Sequence, residues 1–231
     1  ADVAPPTQLE AERTRHRAFA ESRRHSYIPN PDYLQRLDTW LRGDEPPLII
    51  YAESGSGKSS LVSFWCDLIR RSQSELPVVE HYVGIGAGTI DHFGVMQHII
   101  LEVSEIVGRD LVMPAAPEQI TNVFTDVFGY LQDRRVVIVI DGINQLTGEA
   151  QQLTWLPRTV PPNIRLIVTT TVEQTLVDLR SRGWVALGMQ PLKEREREAV
   201  IVRYLSEFHK ALTPDLIHRI AEDAKCAHPP F

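Results

Sequence analysis

The segment PLIIYAESGSGKSSL, residues 47–61, decides the fold. Its short apolar run predicts a buried strand, small residues then interrupt the run, and Lys-Ser-Ser-Leu begins a helix. Strand, glycine-containing loop and helix in this order are the context that a phosphate-binding loop requires. Gly55 and Gly57 allow backbone N–H groups to point inward at a helix N-terminus, where the helix dipole favours an anion. The segment therefore predicts binding of a nucleoside phosphate.

Within this loop, the residues predicted to bind the nucleotide are Glu53, Ser54, Gly55, Ser56, Gly57, Lys58, Ser59 and Ser60. Lys58 is expected to reach the β- and γ-phosphates, and the Ser59 hydroxyl is expected to complete a Mg²⁺ shell. The consensus begins with glycine, and Ala52 stands at that position here. A plain connecting loop is the alternative, but Lys58 and Ser59 placed after a β-run favour the phosphate loop.

A second apolar run, residues 136–140, ends in Asp141. Its continuous apolar character predicts a central parallel strand covered on both faces. The carboxylate of Asp141 is predicted to bind Mg²⁺ opposite Ser59, as in a Walker B motif. The next residues are Gly-Ile-Asn-Gln, without the acidic group that usually activates water, and Asn144 or Gln145 could only position it. We therefore expect slow ATP hydrolysis.

Another strand is predicted over residues 163–171. Thr169 and Thr170 lie where its end would direct a polar side chain to the γ-phosphate, and Thr170 is taken as a candidate catalytic residue. A β-branched residue that merely ends a strand is the alternative. An Asn-Lys-x-Asp segment, which guanine recognition would require, is missing from the sequence. The expected ligands are therefore ATP or ADP with Mg²⁺.

Apolar runs that alternate with amphipathic segments predict an α/β fold, a P-loop NTPase doubly wound parallel sheet of about five strands flanked by helices. Residues 1–26 are expected to be a linker and helical lead-in, with the arginine-rich helix solvated, and residues 27–192 the P-loop NTPase core. Residues 193–231 are expected to start a truncated helical subdomain. The histidines fit no ligand spacing and are interpreted as packed or solvent-facing.

Composition limits the classes of partner. The 231 residues carry a formal net charge of −6, which argues against a broad nucleic-acid surface. Cys66 and Cys226 are far apart and predict reduced thiols in a cytoplasmic protein. No apolar run approaches the length of a membrane span, so no membrane partner is expected. The chain starts with Ala and ends at Pro-Pro-Phe, from which we expect an excised piece of a longer protein.

With these residues assembled, the chain resembles the STAND class of signalling ATPases, in particular the NACHT-type modules of nephrocystin-like and telomerase-associated-protein-like proteins. The resemblance rests on FAESRR (19–24), YI (27–28), ESGSGKS (53–59), IDGINQL (140–146), LP (156–157), PNIRLIVTT (162–170) and LGMQPL (187–192). It implies that Tyr27 and Ile28 line the adenine pocket and that Pro230, in KCAHPPF, packs near adenine. Pro29-Asn30 stands where the pattern has Gly-Arg, and an arginine found at the sensor strand of many relatives is missing.

The resemblance implies a switch: ADP holds the module closed, and exchange for ATP permits opening and self-association through the NTPase module. Such a switch requires different affinities of the two nucleotides for two conformations. Other domains of the parent protein are the further expected partners. Two alternatives stay open: a nucleotide-binding scaffold without significant turnover, and a P-loop kinase or nucleic-acid motor. An arginine-rich lid, which a kinase needs, is not recognisable in the sequence.

Overall fold

The computed structural model describes residues 7–25, 27–86, 90–114, 119–131 and 134–223. Its centre is a parallel sheet in the order β2-β3-β4-β1-β5. The strands are β1 (Leu48–Tyr51), β2 (Val78–Tyr82), β3 (Val136–Asp141), β4 (Ile164–Thr170) and β5 (Val185–Gly188). The predicted α/β fold with a five-stranded parallel sheet is confirmed.

Strands β3 and β4 lie in the interior of the sheet. Every residue of β3 and of β4 is buried, whereas the edge strand β5 is only partly covered. Strand β2 ends at Tyr82, and Gly84 and Gly86 then take φ values of 87° and 115°. Glycine tolerates such backbone angles, so the chain turns away from the sheet there. Residues 87–89 lie outside the described residues.

Helices flank the sheet on both sides. They are α1 (Gln8–His25), α2 (Pro31–Arg42), α3 (Lys58–Ser72), α4 (His92–Val107), α5 (Ile120–Val127), α6 (Glu173–Ser181), α7 (Glu194–Glu207) and α8 (Pro214–Glu222). Short 3₁₀ turns span Phe128–Leu131, Ile143–Gln145 and Gly148–Gln152. Helix α6 was not predicted from the sequence. Among the described helices, none is both long enough and apolar enough to cross a bilayer.

Side chains alternate between two cores because successive residues of a strand face opposite sides of a sheet. Val139 and Ile167 pack on one side with Trp40 and Trp65, from α2 and α3; we call this side the α3 face. The other side, the α4 face, joins residues such as Ile140 and Val168 to side chains of α4 and α5. Full burial of one such aliphatic side chain contributes about 1.5–3 kcal/mol.

The lead-in helix α1 differs from the expectation of a solvated segment. Leu9, His16 and Ala20 are buried on its inner side. Arg13 donates to Oε1 of Glu102 on α4 at 2.7 Å, and a second nitrogen reaches Glu105 at 2.6 Å. The interspersed acidic residues suggested a solvated helix, but apolar positions on one side and these interhelical ion pairs attach α1 to the core.

The two helices after residue 193 form as the sequence predicts, and they pack mainly on each other. Only Val200 and Ala221 are buried in them. Asn30 Nδ2 donates to Glu196 Oε1 at 3.3 Å, and Arg203 Nε donates to the His25 carbonyl at 3.1 Å. Residues 224–231, including the predicted adenine contact Pro230, lie outside the described part of the chain.

Candidate nucleotide-binding site

The phosphate loop has the expected backbone. After β1, Gly55 and Gly57 adopt φ values of 78° and 86°, which side-chain-bearing residues rarely take. Helix α3 then begins at Lys58 and runs for 15 residues, so its N-terminus opens onto the loop. A loop of this shape before a helix presents N–H groups and the positive end of a helix dipole to an anion.

Lys58 braces the loop from inside. Its Nζ donates to the carbonyls of Ala52 and Glu53 at 2.8 Å each and lies 3.3 Å from Ser56 Oγ. Burial lowers the pKa of Lys58, and the negative charge of Asp141 opposes that shift. The loop carbonyls therefore hold the ammonium in place, where it would attract a phosphate bound by the loop.

Asp141 is buried at the end of β3 and accepts two hydroxyl hydrogen bonds. Ser59 Oγ donates to Oδ2 and Thr169 Oγ1 donates to Oδ1, both at 2.6 Å. Gly142 N–H donates to Thr169 Oγ1 at 2.8 Å, which orients that hydroxyl. Burial raises the pKa of Asp141, while the hydrogen bonds from Ser59 and Thr169 and the charges of Lys58 and Arg23 lower it. A serine hydroxyl beside a carboxylate is a pair of oxygen ligands that fits Mg²⁺.

Of the two threonines at the end of β4, the structure brings Thr169 to this carboxylate. Thr169 follows Ile167 on the α3 face, the face on which Asp141 also lies after Val139. Thr170 points to the opposite face, and its Oγ1 accepts from Val172 N–H at 3.1 Å. The sequence-predicted candidate Thr170 is therefore not among the residues that contact Asp141. Strand alternation allows only one of the two neighbours to do so.

Asn144 and Gln145 lie on the 3₁₀ turn that follows Gly142 (φ 78°). A Cβ added to Gly84 would lie 2.7 Å from Gln145 Oε1, and one added to Gly142 would lie 2.5 Å from its Nε2. The Gln145 amide thus fits between two glycine backbones, which restricts it. Asn144 is half-buried and lines the same cleft wall.

These groups surround a cleft of about 320 Å³, which we call the P-loop cleft. Its lining joins the loop and the start of α3 to the ends of three strands and to two side chains of α1. The lining residues are Phe19, Arg23, Ser54, Gly55, Gly57, Lys58, Ser59, Ser60, Val83, Ile85, Asp141, Gly142, Asn144, Gln145, Thr169 and Thr171. Phe19 and Arg23 were not among the predicted site residues, because only packing of α1 beside the sheet brings them there.

A second cavity of about 570 Å³, the Tyr27 pocket, adjoins the same loop. Gly55 and Gly57 line both cavities, and Tyr27 and Ile28 line the Tyr27 pocket. Most of the remaining lining comes from residues 29–33 and 189–193. Glu53 lines neither cavity; its backbone carbonyl serves Lys58 instead.

Three buried histidines meet beside β2, although no sequence spacing indicates this. The ring nitrogens of His16, His81 and His98 lie within 4.8 Å of one another. Glu102 Oε1 is 3.3 Å from His98 Nε2, and Nδ1 of His81 lies 3.1 Å from Nδ1 of His98, a contact whose donor depends on the tautomer. Tyr82 N–H donates to His16 Nδ1 at 3.3 Å. The three rings thus form a buried contact network between α1, β2 and α4.

Comparison with protein-family models gives no match. A TPR repeat-containing protein of Dictyostelium discoideum is 25% identical over 96% of this chain and 18% of its own length. Human nephrocystin-3 is 26% identical over 74% of this chain and 13% of its own length. Rat tetratricopeptide repeat protein 41 is 28% identical over 58% of this chain and 12% of its own length. The chain thus spans less than a fifth of each of these relatives.

Solved structures share the fold. The Walker-type ATPase of Pyrococcus abyssi has a TM-score of 0.58 at 12% identity, over 87% of this chain and 65% of that one. The Aeropyrum pernix ORC1 protein, solved in complex with DNA, has a TM-score of 0.54 at 20% identity, over 87% and 58%. Domain III of the replication initiation protein DnaA of Thermotoga maritima has a TM-score of 0.52 at 18% identity, over 86% and 79%. The chain has the P-loop NTPase fold.

Proposed function

We infer that this chain binds ATP and ADP with Mg²⁺ and acts as a nucleotide switch with slow hydrolysis, the regulatory module of a larger cytoplasmic signalling protein of the STAND class with a NACHT-type module. The observation that carries the inference is the hydrogen-bonded set Ser59–Asp141–Thr169 beside the loop that holds Lys58. Hydroxyl, carboxylate and lysine are the groups that magnesium and nucleotide phosphates require together.

Each group has a separate role in the proposed site. The phosphate loop and Lys58 bind the phosphates, and Ser59 and Asp141 hold Mg²⁺, whose chemistry is to neutralise charge on the phosphate oxygens. Thr169 orients the Asp141 carboxylate. The Tyr27 pocket takes the adenine, because it lies beyond the loop and is lined by Tyr27, Ile28 and other apolar groups.

Slow turnover follows from the lining of the P-loop cleft. Among its described residues, Asp141 is the only carboxylate, and both of its oxygens already accept hydrogen bonds. Asn144 can position water but cannot remove its proton. We therefore assign Lys58 and Asn144 to positioning and charge stabilisation, with no general base among the described lining groups.

The switch itself rests on the position of α7 and α8. Glu196 and Val200 of α7 line the Tyr27 pocket, so a nucleotide there would contact the helical segment directly. Different contacts with ADP and ATP could then move α7 and α8 and expose a surface for self-association. The similarity to much longer repeat proteins supports a place among other domains of a parent protein.

Two rival functions remain as alternatives. A scaffold that binds nucleotide without turnover fits the missing acidic base. A DNA-associated motor is suggested only by the fold it shares with proteins such as the DNA-bound ORC1, and the net charge of −6 opposes it. DNA-stimulated release of inorganic phosphate would favour the motor, whereas single-turnover ATP hydrolysis unaffected by DNA would favour the switch.

The first experiment is to denature freshly purified protein and identify any released nucleotide by ion-exchange chromatography. We expect ADP near one per chain. If the purified protein carries no nucleotide, titrations with ADP and ATP in the presence of Mg²⁺ replace this test. In these titrations, Lys58→Ala should weaken triphosphate binding at least about 100-fold, because it removes the ammonium group of the loop. Lys210→Ala, an exposed control, should bind like wild type. Wild-type affinity in Lys58→Ala would refute the proposed site.

A further inference from the structure

The Arg23 guanidinium lines the P-loop cleft but forms neither a hydrogen bond nor a salt bridge with the described residues. It lies in the last turn of α1, and its guanidinium carbon is 4.6 Å from the centroid of the Phe19 ring. Within the described ranges of the chain, no hydrogen bond or salt bridge engages it, and its Nε is buried without a partner. Two other arginines of α1 differ: Arg13 pairs with Glu102, and Arg24 lies 3.5 Å from the Ser63 carbonyl.

The guanidinium faces the phosphate side of the proposed site. Arg23 lines the P-loop cleft together with Lys58 and Asp141, and it does not line the Tyr27 pocket. Its charge contributes to lowering the pKa of Asp141, which fits a position across the cleft. A partly desolvated cation that forms no hydrogen bond or salt bridge is costly, so an anion that enters the cleft would compensate it.

The positions of the two cavities along the sheet indicate which phosphate of a nucleotide Arg23 would contact. The Tyr27 pocket lies towards β5, where Met189 and Gln190 line it, and the loop Gly55–Gly57 separates it from the cleft. The cleft opens towards β2 and β3, through Val83 and Asn144. A nucleotide with its base in the Tyr27 pocket and its β-phosphate on the loop therefore extends its last phosphate towards Arg23.

We propose that Arg23 is a specificity-determining residue that binds the terminal phosphate of the triphosphate, so that helix α1 distinguishes ATP from ADP. The inference rests on the proposed nucleotide site. Phe19 holds the guanidinium by a cation–π contact, and the planar fork of arginine suits phosphate oxygens. The ion pairs of Arg13 with α4 connect the same helix to the core, so terminal-phosphate contact would stabilise α1 in this position.

The test compares ADP with a non-hydrolysable ATP analogue in calorimetric titrations with Mg²⁺. Arg23→Gln should weaken triphosphate binding about 10- to 100-fold, through loss of a charge-assisted hydrogen bond, and change ADP binding by less than about three-fold. Arg23→Lys should recover part of the loss, because it restores the charge without the fork. Arg24→Gln is the matched control, since Arg24 does not line the cleft, and it should match wild type for both ligands.

The ratio of triphosphate to diphosphate affinity separates the outcomes. A misfolded variant would lose both ligands together and would also show a changed circular dichroism spectrum. Equal weakening of both nucleotides, or unchanged binding of both, in a folded Arg23→Gln protein would overturn the role of Arg23 while leaving the nucleotide site intact. Failure of wild-type protein to bind either nucleotide would instead refute the proposed function, and the role of Arg23 with it.

Discussion

The Ser59 hydroxyl donates a hydrogen bond of 2.6 Å to Oδ2 of Asp141, although 82 positions separate the two residues. The bond joins the first turn of α3 to the end of β3. Two oxygen ligands of the kind that Mg²⁺ prefers therefore meet at the mouth of the phosphate loop. The proposed metal site depends on this relationship.

Replacing Asp141 by Asn removes the negative charge at nearly constant shape. We expect the Mg²⁺-dependent gain in triphosphate affinity to fall at least about ten-fold, because a neutral amide is a poor ligand for a hard cation. Titrations of a triphosphate analogue in Mg²⁺ and in EDTA measure this gain. Asp126→Asn, at an exposed position, is the control. An unchanged Mg²⁺ effect in Asp141→Asn would remove Asp141 from the metal site.

The same substitution has an expected effect on stability. Burial raises the pKa of Asp141 in the folded protein, so the charged carboxylate disfavours folding at neutral pH. Asn relieves that cost and still accepts one hydroxyl hydrogen bond. We expect the free energy of unfolding without nucleotide to stay constant or to rise, as measured by urea denaturation at pH 7.

Thr169→Val and Thr170→Val form a matched pair that tests which threonine serves the site. Thr169→Val removes the hydrogen bond to Asp141 and leaves Gly142 N–H without its acceptor, at a cost of about 1–3 kcal/mol in unfolding free energy. It should also weaken Mg²⁺-triphosphate binding. Thr170→Val removes only the acceptor of Val172 N–H and should leave binding unchanged. The reverse pattern in nucleotide titrations would restore Thr170 as the site residue.

The buried histidines predict a loss of stability in mild acid. Burial lowers the pKa of His16 to about 3 and holds that of His81 well below its usual value; nearby His98 and Arg15 act in the same direction on His16, and Glu102 opposes them. In the unfolded chain these groups take up protons near pH 6.5, so the unfolded state binds more protons between that pH and the folded pKa. Stability is therefore present above pH 6.5 and is lost as the pH falls.

For His16, this linkage amounts to about 2 kcal/mol between pH 7 and pH 5. His16→Asn removes the titrating ring and offers Tyr82 N–H an oxygen acceptor in its place. Urea denaturation at both pH values should show a smaller pH dependence for this variant than for wild type. His218→Asn, at an exposed histidine with a raised pKa, should not reduce the acid sensitivity. Parallel pH dependences for wild type and His16→Asn would contradict the linkage.

Arg165 is a buried cation on β4 that joins the sheet to α2. Its guanidinium lies 4.0 Å from the Trp40 ring centroid and donates to the carbonyls of Glu45, at 2.8 Å, and Trp40. Arg165→Met keeps the apolar length but leaves these carbonyls without their donor. We expect a loss of about 2–4 kcal/mol in unfolding free energy. Arg158→Met, at an exposed position, should cost less than about 0.5 kcal/mol in the same denaturation.

The local sequence determined the parts of the site whose geometry depends on neighbouring residues. An apolar run, two glycines and a helix start suffice to predict the loop around Lys58, because backbone angles and the helix dipole act within a few residues. The five apolar residues before Asp141 likewise predicted a buried central strand, which the structure contains. The sheet class followed from the alternation of such runs with helices.

Only the tertiary structure decided which residues from distant segments of the chain contact one another. Val139 and Ile167 share the α3 face, and that placement directs Thr169 rather than Thr170 to Asp141. Packing of α1 beside α3 and α4 brings Arg23 into the P-loop cleft and His16 beside His81. These contacts join residues far apart in the chain, and their energies depend on long-range packing, which local propensity and periodicity do not encode.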